Sequence, residues 1–158
     1  MSVADIQNSI LNRVCSLKIW KRGDETAPHK PILLLYVIAN LSKQQRLHSF
    51  VAVENALSPL LRAVLENKNV VEPRYPFWRL QNDGIWEVQS DAPMTQRRGN
   101  TDPLRSELIS KNARGGLTQE IFDVLLQDGD FRHRIIRLIL ERYFTDKDQA
   151  KLRKLLKV

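Results

Sequence analysis

The segment that most constrains this chain is Ile32 to Leu41, which reads Ile-Leu-Leu-Leu-Tyr-Val-Ile-Ala-Asn-Leu. A surface helix carries a single apolar stripe. This one is apolar nearly all round, so it is expected to be the central helix, wrapped by the rest of the chain. Pro31 just ahead of it is tolerable in a first helical turn, where N–H groups have no intrahelical partner, and the helix is read as opening between Thr26 and Pro31. No run in the chain reaches the roughly 18 consecutive apolar residues of a membrane helix. At 158 residues, 42% hydrophobic and 27% charged, the composition is that of one globular domain, or one domain with an appendage.

Elements to wrap the central helix can be read along the sequence. Ser2 and Asp5 have the spacing of a capping box, and Val3, Ile6, Ile10, Val14 and Leu17 recur at helical period, which predicts a helix to about Trp20. Lys21-Arg22-Gly23-Asp24-Glu25 reads as a loop. Leu47 to Val51 alternates like a short strand, and a third helix is expected from Val53 to Glu66, bent at Pro59. Phe77-Trp78-Arg79-Leu80 and Ile85-Trp86-Glu87-Val88 flank Gln81-Asn82-Asp83-Gly84, a pattern that predicts a β-hairpin. Asp91 to Asp102 reads as a loop. A short helix from Pro103 to Lys111 should end at Arg114-Gly115-Gly116. Helices are then expected from Thr118 to Leu126, from Phe131 to Tyr143, and from a Thr145 cap onward. The expected fold is mainly α with a small β-hairpin. Helix, helix, short strand, helix, hairpin is the order of a winged helix, a scaffold that does not by itself fix function.

The net charge of +7 points to a polyanionic partner, but it is unevenly spread. Residues 131–158 hold nine Lys/Arg against three Asp/Glu, whereas residues 1–130 hold sixteen against fifteen. A basic helix near a chain end is more often a solvated face than a reading surface. The lone Cys15 excludes an internal disulfide and a thiolate zinc site. The first residues lack a basic n-region and an apolar h-region, so cytoplasmic residence is expected. His29, His48 and His133 lie in unrelated contexts. Glu66-Asn67-Lys68 has the spacing of a nuclease motif but ends a helix, and no phosphate-cradling glycine loop is present. The sequence calls for no catalytic residue, metal or cofactor, and for a binding module rather than an enzyme.

Three segments carry more than fold class: Ala27-Pro28-His29-Lys30-Pro31-Ile32-Leu33-Leu34-Leu35, Tyr75 to Trp86, and Asn112-Ala113-Arg114-Gly115-Gly116-Leu117 ahead of a helix. In this order and spacing they resemble the sulfur-binding domains of phosphorothioate-dependent, type IV McrA-like restriction endonucleases, over about residues 5–145. The resemblance implies a sulfur-binding domain at 1–145, followed by a basic helix or linker at 146–158. It implies phosphorothioated double-stranded DNA as the partner, in which sulfur replaces a non-bridging phosphate oxygen. In that family an HNH nuclease domain follows, which makes such a domain a second expected partner; no membrane partner is expected.

Sulfur is larger, more polarisable and a poorer hydrogen-bond acceptor than oxygen. A reader that prefers it needs a fitted apolar surface with a cation nearby. The resemblance implies that Tyr75 and Pro76 line such a pocket, although the pair would equally serve as a rigid turn. It also places a His and a basic residue where His29-Lys30 stand, and the Lys30 ammonium at a helix start is suited to a phosphate. Lys gives a point charge where Arg would give a fork. Arg79 completes the expected pocket. Gln81 and Asn82 at the hairpin tip could bond base edges, with turn chemistry as the alternative. Arg97, Arg98 and Arg114 are candidate DNA contacts, or solvated surface. Two rival functions fit the same elements: a winged-helix transcription regulator of unmodified DNA, and a protein-protein adaptor.

Overall fold

The structure, a computed structural model, describes residues 2–19, 21–22, 25–65, 71–96, 98–99 and 102–158. Its centre is α2 (His29–Ala39), where Ile32, Leu33, Leu34 and Leu35 are all fully buried. Four consecutive buried residues point to every side of a helix, so α2 needs neighbours all round. Helices α3 (Phe50–Leu65), α4 (Arg74–Arg79) and α7 (Gly129–Tyr143) pack directly on it. Helices α1 (Val3–Cys15) and α6 (Gln119–Gln127) pack on α7, and α8 (Asp146–Leu156) lies on α3 with Leu152 fully buried. Each such Leu or Ile contributes about 1.5–3 kcal/mol on burial. No helix among the described residues is long and apolar enough to cross a membrane.

Local chemistry sets several of the ends. Ser2 and Asp5 make the reciprocal capping box that opens α1, which ends at Cys15, short of Trp20. The Asp128 carboxylate accepts from Phe131 N at the start of α7, and Thr145 Oγ1 accepts from Asp148 N at the start of α8. Pro31 sits in the first turn of α2, where it removes no hydrogen bond. Pro59 lies inside α3, which runs on through it. Lys21–Arg22 (β1) and Glu25–Thr26 (β2) pair as an antiparallel ribbon where a plain loop was expected.

The expected hairpin at Phe77–Val88 does not form. Its first half is α4, whose last residue Arg79 leads into a 3-10 turn over Leu80–Asp83. The Asn-Asp-Gly signal is the stop of that turn: Gly84 closes it in the left-handed region at φ 72°. Phe77 and Leu80, three apart and both fully buried, belong to one helical face rather than to a strand. Only the second half is extended, as β4 (Trp86–Gln89).

Its partner is a segment expected only to end a helix. Arg114–Leu117 is β5, the middle strand of an antiparallel sheet ordered β3-β5-β4, in which β3 is His48–Ser49. Trp86 pairs with Leu117, and Gly115 pairs with both Val88 and His48. The glycines are required by close approach. A Cβ on Gly116 would lie 2.1 Å from the Arg46 carbonyl oxygen, and one on Gly115 would lie 2.7 Å from the Trp86 ring. The short helix α5 (Arg105–Ser110) lies in the connection from β4 to β5 and packs on α3.

Candidate nucleic-acid interface

Two segments from different parts of the chain meet at the start of α2. His29 is its first residue, and its ring lies 6.5 Å from that of Tyr75, at the start of α4. Two prolines set the approach: Pro73 immediately precedes α4 and Pro76 lies within its first turn, where a missing N–H costs nothing. Pro76 is buried, while Tyr75 keeps part of its ring in solvent.

Arg79, one turn along α4, reaches back over Tyr75, with its guanidinium carbon 4.4 Å from the ring centroid. Asp102 holds it there. Asp102 is 3% exposed, and its carboxylate accepts from Arg79 Nε at 2.8 Å, with Nη2 at 2.6 Å. The Asp102 hydrogen bond is the main reason the Arg79 pKa is raised, with burial opposing it. Arg74 flanks the other side, 5.6 Å from the Tyr75 centroid. It donates to the Pro103 carbonyl, and its buried Nε–H has no acceptor within hydrogen-bond reach among the described residues, with Glu72 3.6 Å away.

Lys30 is adjacent in sequence but its ammonium points elsewhere. It donates to Asp83 at 2.6 Å and to the Lys18 carbonyl at 2.7 Å, and the side chains are 11% and 1% exposed. Asp83 also accepts from Lys18 N at 2.7 Å, so one buried carboxylate ties together α2, the turn after α4 and the segment after α1. The expected site residues beyond the pocket are dispersed. Gln81 folds back on the Trp78 carbonyl, and exposed Asn82 accepts from Lys18 through its own carbonyl. Arg114 lies on β5, held by Asp91 and by the Asn112 carbonyl. Arg98 is exposed. Arg97, like Glu66-Asn67-Lys68, lies outside the described residues. Trp86 is buried and donates to the Phe77 carbonyl, so it serves the core.

The structure thus brings together His29, Tyr75, Pro76 and Arg79. Sequence reasoning missed Arg74, Asp102 and the part played by Asp83. The result is a partly exposed aromatic face, edged by guanidinium groups whose charge carboxylates of the same chain already offset. Such a surface offers ring and proline carbon in the middle and charge-assisted donors at its rim.

The fold has known counterparts. The chain superposes on the sulfur binding domain of SprMcrA complexed with phosphorothioated DNA, with a TM-score of 0.82 and 22% identity over 99% of this chain and 97% of that one. It also superposes on the sulfur binding domain of ScoMcrA complexed with phosphorothioated DNA, with a TM-score of 0.73 and 25% identity over 92% and 96% of the two chains. In the type IV phosphorothioation-dependent restriction endonuclease ScoMcrA the match covers 83% of this chain but 25% of that one, with a TM-score of 0.67 and 25% identity. Comparison with curated protein sequences gives no significant match. The sequence model of the ScoMcrA-like, DNA sulfur-binding domain matches residues 7–157. A match over nearly the whole length, on a fold shared end to end with two such domains, places the chain: it belongs to the ScoMcrA-like DNA sulfur-binding domain family.

Proposed function

We propose that this domain binds double-stranded DNA carrying phosphorothioate linkages and acts as the recognition module of a modification-dependent restriction system. The observation that carries the reading is the Tyr75-Pro76 face beside His29, with Arg79 laid over the ring by Asp102. An ordinary phosphate gains most from open N–H donors and free positive charge. Here the fixed guanidinium is already engaged, so a bare cation contributes little and contact with a polarisable atom contributes more. Sulfur profits from that exchange. Lys30 serves this site by fixing the start of α2 through Asp83, and Arg98 supplies phosphate attraction. The family match removes the ground for the regulator and adaptor readings.

We also read the arrangement as winged-helix-like. Helix α2, strand β3, helices α3 and α4 and strands β4 and β5 follow that order, with the β4-to-β5 connection in the place of the wing. This reading makes α4, which carries Tyr75 and Arg79, the recognition helix. Cleavage would belong to a nuclease domain outside these 158 residues, and the setting is the cytoplasm, where restriction acts. The test is a pair of dissociation constants for duplexes of one sequence, with and without sulfur, at one salt concentration. Tighter binding of the sulfur duplex is expected; equal constants would remove the proposed function.

A further inference from the structure

At the opposite end of α2 from His29, about 16 Å along its axis, lies a cleft of about 410 Å³. Its floor includes Ile38 from α2 and Ile136 from α7, both buried. Its rim carries Arg132 and Arg137 from α7 and Arg153 and Lys157 from the end of α8. Among the described residues, none of these four has a carboxylate within ion-pair reach. The pattern differs from that at the other end of α2, where Lys30 and Arg79 each have one.

A plain explanation is that the cations complement helix ends. The C-terminal ends of α2 and α8 lie at the cleft, and each presents about half a negative charge. Together they offset about one of the four positive charges on the rim. Converging, unneutralised guanidinium groups over an apolar floor suit an anion with several oxygens on a flat or ribbed body. The backbone of duplex DNA is such an anion, and guanidinium forks match its phosphates.

We propose that this cleft is a second DNA contact, to the phosphate backbone and indifferent to sulfur, which supplies the electrostatic attraction that the paired residues at the other end of α2 do not. The proposal rests on the DNA-binding reading for its class of ligand, but not on sulfur recognition. The test compares two double variants with the parent chain, on sulfur-bearing and unmodified duplexes, across a salt series. Arg137→Glu/Arg153→Glu removes charge at the cleft. Arg134→Glu/Lys154→Glu makes the same change of charge on exposed positions of the same two helices, outside the cleft. Deleting α8 would confound the result, because Leu152 is fully buried.

At 0.1 M salt each lost phosphate contact weakens binding about tenfold, so the cleft variant should lose on the order of a hundredfold on both duplexes alike. Its slope of log affinity against log salt should shrink by about two. The control variant should lose far less, and the ratio of the two dissociation constants should stay that of the parent. Equal losses in both variants would reduce the cleft to bulk charge and overturn the proposal. So would an unchanged affinity and slope in the cleft variant, the result expected if an acidic protein surface were its occupant. If the parent binds both duplexes equally, sulfur recognition fails while the cleft comparison still reads on unmodified DNA; a parent that binds neither duplex ends both readings. Circular dichroism verifies the fold, and the milder Arg137→Gln/Arg153→Gln pair must move in the same direction.

Discussion

The two ends of α2 handle positive charge in opposite ways. At its start, Lys30 and Arg79 are held by Asp83 and Asp102, carboxylates that are almost wholly buried. Beyond its other end, Arg132, Arg137, Arg153 and Lys157 surround a cleft with no such partner among the described residues. Net charge therefore misleads about where selectivity lies. A cation neutralised by its own chain becomes a shaped, polar surface able to distinguish ligands of equal charge. A cation left bare attracts any phosphate. The division separates what sets choice from what sets strength, and each half can be broken alone.

The largest effect should come from Asp83. Asp83→Ala strands a nearly buried ammonium and frees the Lys18 backbone N–H, which should cost about 3–5 kcal/mol. In a domain of this size that lowers Tm by on the order of 10 °C, measurable by thermal denaturation. The Arg137→Glu/Arg153→Glu pair, on exposed positions, should stay within about 0.5 kcal/mol of the parent. If Asp83→Ala were equally harmless, the paired end would owe nothing to its pairing, and the contrast between the two ends would dissolve.

Next in size is Tyr75→Ala. Removing the aromatic floor should cost about 2 kcal/mol, some thirtyfold, on the sulfur-bearing duplex, and much less on the unmodified one. Matched losses on both would make Tyr75 a structural or generic contact. Smaller again is Asp102→Asn, which keeps the shape but releases the charge of Arg79. Unmodified DNA should then bind severalfold tighter, the preference for sulfur should fall, and stability should drop by about 1–2 kcal/mol. The variant makes one end of the molecule resemble the other. A preference for sulfur that survives it would show that neutralisation of Arg79 has no part in selection.

Much of this was legible in the sequence, and what was not has a common physical cause. The Ile32–Leu41 run announced a buried helix because its message is local: no other arrangement hides side chains on every face. Ser2 and Thr145 announced helix starts for the same reason. The Phe77–Val88 segment misled because Asn-Asp-Gly permits a left-handed residue without saying whether a hairpin or a helix end uses it. Gly115 and Gly116 read as a helix stop because what they accommodate, the Trp86 ring and the Arg46 carbonyl, lies far away in the chain. The site divides similarly. His29, Lys30, Tyr75, Pro76 and Arg79 stood in recognisable segments, whereas their carboxylates arrive from 53 residues away for Lys30 and 23 for Arg79. One sign of pairing was present: sixteen bases against fifteen acids before residue 131.

The smallest effect concerns His48, which belongs to neither end and so sets a baseline for both. It lies on β3, its ring 6.4 Å from that of Tyr36 on α2, and partial burial lowers its pKa below the usual 6.5. Between that lowered value and 6.5 the unfolded chain binds more protons than the folded one, so folding stability must rise with pH. The contribution is complete above 6.5 and declines as pH falls towards the folded value. Because the ring keeps some solvent contact, the slope is shallow, roughly a degree or two of Tm between pH 7.5 and 5.5. His48→Gln should flatten that part of the profile and leave the preference for sulfur unchanged, since the ring pairs with Tyr36 rather than Tyr75 and does not line the basic cleft. Thermal melts across this pH range, run beside the two binding constants, provide the measurement. A preference that moved with His48 would mean that the sheet transmits to the site, and the two ends of α2 would no longer be separable.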